Sequence, residues 1–224
     1  MTASEALLKC GAASLPVNVP EAAQRLGVKM IGYSDFVSLY DFDADYVCRS
    51  ISYGGFSLMQ DGKYVCVINE NLCGIARRKW TTAHELGHIL SGHISEARQK
   101  ITKADEKEAD RFAAGFLAPL TVLHFCGVSS VLEVEKLCGI SRQAAEFRFQ
   151  ELTRLRRYEE EIFRQEMRGA VPRSPESSVF LRGSAELALL IRFAPFITSY
   201  IARRSQHDGY ENYLSQQVKQ PMAI

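Results

Sequence analysis

The stretch from Trp80 to His93, WTTAHELGHILSGH, decides how this chain is read. On an α-helix, residues four apart stack one turn above another, so His84 and His88 can grip one metal ion together. Glu85 lies between them, completing the H-E-x-x-H pattern in which two imidazoles ligate Zn²⁺ and the carboxylate handles a water's proton. No proline interrupts Arg77 to Ser91. Thr81 or Thr82 is expected to satisfy amides of the first turn, and Gly92 to stop the helix. Trp80, Ala83, Leu86, Gly87 and Leu90 recur at helical spacing, leaving the two histidines on one flank of a buried stripe. Gly87 costs about 1 kcal/mol relative to alanine inside a helix, which predicts another backbone crossing close beside it.

A catalytic zinc usually takes three protein ligands and keeps one open position, so a third donor is required. Lys103 to Leu117, KADEKEADRFAAGFL, reads as a helix whose apolar face runs through Ala109, Phe112, Ala113 and Phe116. Glu106 lies nearer that face than Glu108 and stacks one turn before Asp110. Glu106 is therefore expected as the third ligand, with Glu108 in reserve. Asp110 would accept the N–H of a zinc-bound histidine, His84, fixing its tautomer. The competing reading makes Asp105, Glu106, Glu108 and Asp110 a solvated acidic face answering Lys103, Lys107 and Arg111.

WTTAHELGHILSGH followed by EKEADRFAAGFLAP resembles the ImmA/IrrE family of metallopeptidases, in which H-E-x-x-H is followed by E-x-x-x-[ND]-x-F-A and a proline. The resemblance runs from about Gly55 to Pro119. It implies an α+β, zincin-like fold with a small antiparallel sheet against the active-site helix, followed by a helical C-terminal part. It also implies a Zn²⁺ endopeptidase that clips a helix-turn-helix transcriptional repressor of a mobile element or stress response. Outside this block the resemblance is loose, and the stretch after Ser174 matches no family pattern.

Composition frames this reading. The 224 residues can bury one substantial core, and a formal net charge of +1 argues for neither general nucleic-acid nor membrane attraction. The six cysteines form no C-x-x-C pair and no basic-then-apolar leader opens the chain, so reduced thiols in a cytoplasmic protein are expected. Cys66 and Cys73 are read as buried small hydrophobes.

Four segments follow from composition and pattern: a metallopeptidase core over 1–125, a helix-turn-helix-like extension over 126–168, a linker over 169–183 and a helical tail over 184–224. In the first, Ser4 to Cys10 and Pro20 to Leu26 read as short helices and Val28 to Tyr33 as a strand. Ser34 to Tyr46 has no clear pattern. Asp41, Asp43 and Asp45 are expected to face solvent, since the glycine and distal glutamate of a calcium loop are missing. Asp61-Gly62 joins the strands Gly55 to Gln60 and Tyr64 to Glu70 as a hairpin, which is placed beside the zinc helix. If one of its strands is an edge at the cleft, an extended peptide can add to it.

Beyond Pro119, Leu132 to Cys138 and Gln143 to Leu155 flank a turn at Gly139 to Ser141, with Ala144, Phe147 and Leu152 available for packing. Seven arginines face six glutamates between Ser141 and Arg168, so the basic excess of a phosphate-tracking surface is missing and direct DNA contact is not favoured. Leu155 to Met167 reads as a further charged helix. In the tail, Glu186, Arg192 and Pro195 interrupt an apolar run, which argues against a membrane span and for a kinked helix docking on the body or on a partner.

The function read from these residues is hydrolysis of a peptide bond in a protein substrate, with His93 and His124 as candidates for stabilising the oxyanion. The alternative class is a zinc-containing transcription regulator or interaction module without proteolysis. Glu85 speaks against that alternative, since a closed structural zinc site has no use for an acid there.

Overall fold

The computed structural model describes the chain except residues 42, 44–45, 96–99, 169–177, 182 and 219–224. Thr2 closes a capping box with Glu5 ahead of α1 (Ala3–Lys9), and Asn18 caps α2 (Val19–Arg25). Then β1 (Lys29–Gly32) leads directly into α3 (Tyr33–Tyr40), and a single π-helical turn, Val47–Ile51, precedes the hairpin. The hairpin strands are β2 (Gly55–Gln60) and β3 (Lys63–Ile68). Asp61 and Gly62, at φ 50° and 70°, form the left-handed two-residue turn that a tight hairpin requires.

The sheet order is β1-β3-β2. The hairpin is antiparallel, whereas β1 pairs with β3 in parallel, with Lys29 opposite Val65 and Gly32 opposite Ile68, so the sheet is mixed. Strand periodicity sorts its side chains. Val65 and Val67 of β3, with Phe56 and Leu58 of β2, pack on Tyr33 and Phe36 of α3. Tyr64, Cys66 and Ile68 turn the other way, into the main core.

That other face is covered by α4 (Ile75–Leu90), with α5 (Lys103–Leu117) packed beside it. Two sequence expectations change here. The helix α4 begins at Ile75, after Gly74, so Thr81 and Thr82 sit within it and cap nothing. Thr82 Oγ1 donates back to the Arg78 carbonyl at 2.9 Å, and the buried Thr81 packs its methyl against Gly54 and Gly55. The segment from Ser34 onward, which showed no clear pattern, is the helix α3, because Glu70 caps it from across the sheet. Glu70 accepts hydrogen bonds from the amides of Tyr33 (2.6 Å) and Ser34 (2.9 Å) and from the Ser34 hydroxyl.

After α5 come α6 (Leu120–Phe125), α7 (Val131–Cys138) and α8 (Arg142–Arg168), then a 3₁₀ turn, Val179–Leu181, and α9 (Ser184–Val218). Helix α8 runs unbroken through the span read as two helices. Its Leu152 is fully buried, but Phe147, expected to pack, is 66% exposed. One core holds Ala6 and Leu7 of α1, Leu86 of α4, Phe116 of α5, Leu152 of α8 and Leu189, Phe193 and Ile197 of α9. The stretch Ser184–Gln206 is long and apolar enough to cross a membrane by length and composition, with mean hydropathy 1.4. Here one side of it is docked on the body, and Arg204 donates to the Gly127 carbonyl at 2.7 Å. Asp41 is exposed and Asp43 accepts from the Tyr46 amide, while Asp45 and most of the 169–183 linker lie outside the described residues. Among the described cysteines all are free; Cys66 is buried, but Cys73 is exposed, because it falls in the loop between β3 and α4.

At Gly87 the backbones of α4 and α5 come close together. A Cβ there would lie 3.0 Å from Ala109 Cα, 3.1 Å from the Ala109 carbonyl oxygen and 3.2 Å from Phe112 Cβ. Overpacking of this kind costs about 1–3 kcal/mol, against about 1 kcal/mol gained from alanine's helix propensity. Gly87→Ala is therefore expected to destabilise the fold by about 1 kcal/mol, read by urea unfolding, and an unchanged or raised midpoint would refute the tight crossing. A second prediction concerns Glu70. Partial burial raises its pKa, but hydrogen bonds from Ser34 and Tyr33 outweigh this and bring it from 4.5 to about 2. A lowered folded-state pKa stabilises above pH 4.5 and is lost as pH falls toward about 2. Because the carboxylate is exposed, its loss in Glu70→Gln should cost about 1 kcal/mol or less at neutral pH and flatten the acid limb of the stability curve.

Candidate metal centre

Helical spacing puts His84 and His88 on one flank of α4, and the Gly87 crossing brings the first turns of α5 against them. Nε2 of His84 lies 3.1 Å from Nε2 of His88 and 3.2 Å from Glu106 Oε2, while His88 Nε2 is 3.7 Å from Glu106 Oε1. One ligand atom from each of the three residues falls within 4.8 Å of the others. Zinc bonded at about 2.0–2.1 Å to tetrahedral ligands spaces those atoms roughly 3.3 Å apart. Two imidazole nitrogens and a carboxylate at such separations fit a divalent cation, and zinc by donor type. Glu108 instead points at His93, 3.4 Å away, and is not in the cluster.

Each histidine is held from behind. His84 Nδ1 lies 3.0 Å from Asp110 Oδ1, so the imidazole donates there and keeps the Nε2 lone pair for the cluster. His88 Nδ1 lies 3.1 Å from Nδ1 of the buried His93, whose Nε2 faces Asp105 Oδ1 at 3.5 Å. A consistent direction of donation runs from His88 through His93 to the carboxylates. Burial, with the neighbouring His84, pushes the His88 pKa down, favouring the neutral ring that a metal needs.

Sequence reasoning missed the part played by Asp105. It is buried and closes a capping box with Thr102, accepting from that residue's amide at 2.8 Å, while its other oxygen faces His93. The T-x-x-D pattern before the apolar run was a readable signal for the cap, but nothing local pointed at His93. The solvated-face reading thus fails for Asp105 and holds in part for Glu106 and Asp110, whose side chains remain about half exposed (53% and 56%).

Glu85 is buried, meets the sheet through Ser57 and lines the same cleft as His84 and Asp110. Ser57 of β2 donates its hydroxyl to Glu85 Oε2 at 2.7 Å. Desolvation raises the Glu85 pKa, the Ser57 hydrogen bond and His84 lower it, and Glu106 raises it again, leaving it above the ordinary carboxylate range. Ser57 alternates with Phe56 and Leu58, so the strand's own pleat turns it to α4. The cleft at this end is about 350 Å³ and is lined by Tyr53, Gly55, Trp80, His84, Glu85 and Asp110. A larger hollow of about 530 Å³ lies on the opposite flank of α4, against β1 and α2, and contains none of the donors.

Neither oxyanion candidate reaches the cleft. His93 stands behind His88, and His124 stacks on Phe180 at 3.8 Å between ring centroids, with Glu159 3.7 Å from its Nε2.

Residues 48–150 match the family model Peptidase_M78, the IrrE N-terminal-like domain. The match begins in the π-helical turn, takes in the hairpin and both cluster-bearing helices, and continues through α7 into α8. No curated protein matches the chain. The hairpin packed on a His-Glu-Leu-Gly-His helix, the Glu106 helix crossing it and the family match agree: residues 48–150 are a Peptidase_M78 domain of the ImmA/IrrE family, a family of metallopeptidases.

Proposed function

We propose that this protein is a zinc-dependent endopeptidase that cuts a helix-turn-helix transcriptional repressor. The observation that carries the peptidase part is the buried Glu85 beside the His84, His88 and Glu106 donors, held by a hydroxyl from an edge strand. A purely structural metal site would need no such carboxylate. His84, His88 and Glu106 would hold the ion, which when bound polarises the scissile carbonyl and acidifies the attacking water.

The chain's own residues supply the remainder. β2 is an edge strand of the sheet and its first residue, Gly55, lines the cleft, so an extended peptide can hydrogen-bond along it and present its backbone to Glu85. Glu85 takes the proton of the attacking water and returns it to the leaving nitrogen. Ser57 is a positioning residue that keeps the acceptor oxygen in place. Asp110 and the His93–Asp105 pair hold both imidazoles in the tautomer that leaves Nε2 free.

The repressor as substrate rests on the family resemblance, and a cytoplasmic site of action goes with it. DNA contact by this chain is not part of the proposal. Along α8, Arg148 donates inward to the Ala118 carbonyl at 2.6 Å and Arg156 to the Val128 carbonyl at 2.6 Å, so these two guanidinium groups serve packing.

Metal analysis and turnover separate the roles. His84→Ala and Glu106→Gln should lose bound zinc. Glu85→Gln should keep it and lose at least about a hundredfold in kcat, as expected for removing a general base. Ser57→Ala should retain the metal and lower kcat about tenfold, the worth of one hydrogen bond to a charged group. Incubating the zinc-loaded protein with a helix-turn-helix repressor encoded close to its own gene should give two fragments by mass spectrometry. Full activity in Glu85→Gln would overturn the mechanism, and an intact repressor beside a cleaved generic peptide would overturn the substrate assignment alone.

A further inference from the structure

Trp80 lies one turn before His84 on α4 and borders more than the active cleft. It also lines an adjoining hollow of about 380 Å³ with Arg77, Gln143, Ala144 and Phe147. A smaller recess of about 100 Å³ continues beneath Ala144 and Phe147 to Ile140 and Leu117. Arg77 and Trp80 line both the cleft and the first hollow, so the two adjoin at these side chains and together make a trough between Glu85 and α8. A single exposed aromatic is ordinary on a protein surface. Phe147, 66% exposed, differs in forming one wall of this trough, with Trp80 and the small Ala144 also lining it.

We propose that Trp80, Ala144 and Phe147 form a specificity subsite that takes one bulky apolar side chain of an extended peptide substrate. The proposal rests on the endopeptidase reading above. Four helical residues rise about 6 Å, so the subsite starts that far from His84 along α4. An extended peptide covers this distance in about two residues, and side chains two apart point the same way. The recognised side chain therefore stands about two residues from the bond that is cut. Leu, Ile, Met or Phe fits the chemistry of the walls. Ala144 leaves the room, and Arg77 at the junction offers its guanidinium to a peptide carbonyl passing from cleft to hollow.

Trp80 is the single tryptophan of the chain, so its fluorescence reports occupancy directly. Zinc-loaded Glu85→Gln protein is titrated with octapeptides of alanine, serine and lysine in which one leucine is moved through successive positions. One leucine position should shift Trp80 emission to the blue and bind on the order of tenfold more tightly than the same peptide with serine there. Phe147→Ser, which removes a wall, and Ala144→Leu, which fills the recess, should each bring that ratio close to one. No dependence on leucine position, or an unchanged ratio in both variants, would overturn the subsite. The wild-type protein is then given the same peptides. Cleavage without a leucine preference would sink the subsite and leave the endopeptidase standing. Leucine-dependent binding with no peptide ever cut would do the reverse.

Discussion

The crossing of two helices at Gly87 is the constraint on which the rest depends. With no side chain at that position, the backbone of Ala109 comes within van der Waals range of α4, and the first turns of α5 are carried against His84 and His88. Each helix contributes groups one turn apart, His84 and His88 from α4 and Glu106 and Asp110 from α5, so one contact aligns two periodicities. A cation between them would be held by the convergence of rigid elements rather than by loops, which is how ligand geometry is kept within tenths of an ångström.

That crossing also accounts for the acidic character of α5. A helix bearing Asp105, Glu106, Glu108 and Asp110 within its first two turns repels itself unless the charge is answered. Lys103, Lys107 and Arg111 are available on the same helix, but the structure uses the acids individually. Asp105 caps the helix and faces His93, Asp110 orients His84, and Glu106 enters the donor cluster. The favourable effect of acids near a helix N-terminus supports the arrangement. Beside the cluster on α4 the burial of Glu85 is unfavourable for a charge, and Ser57 offsets part of it. The sheet thus does more than cover a core, since its edge strand lends the hydroxyl that steadies the carboxylate.

Local pattern made much of this legible. The hairpin, the two helices at the centre, the need for a close backbone at Gly87 and the pairing of Asp110 with His84 all follow from short-range periodicity, and the structure places those atoms as described. Readings that failed did so where a distant segment intervened. Helix α3 had no clear pattern because its cap, Glu70, lies 37 residues away in sequence from Tyr33. Thr81 and Thr82 read as caps because a threonine pair before an apolar run resembles a helix start, yet Ile75 had already begun the helix. His93 drew attention only as an imidazole, and its value comes from lying behind His88.

The sequence by itself determined which residues are chemically able to form the centre, because helical spacing and side-chain chemistry are local properties. It also determined the family of the central domain, since motif order and spacing survive without coordinates. Only the tertiary structure decided that Glu106 and not Glu108 joins the imidazoles, that Ser57 meets Glu85 and that Phe147 and Trp80 line one hollow. Each of these depends on how one element rotates and approaches another, and that is set by packing of the shared core, to which residues from Ala6 to Ile197 contribute together.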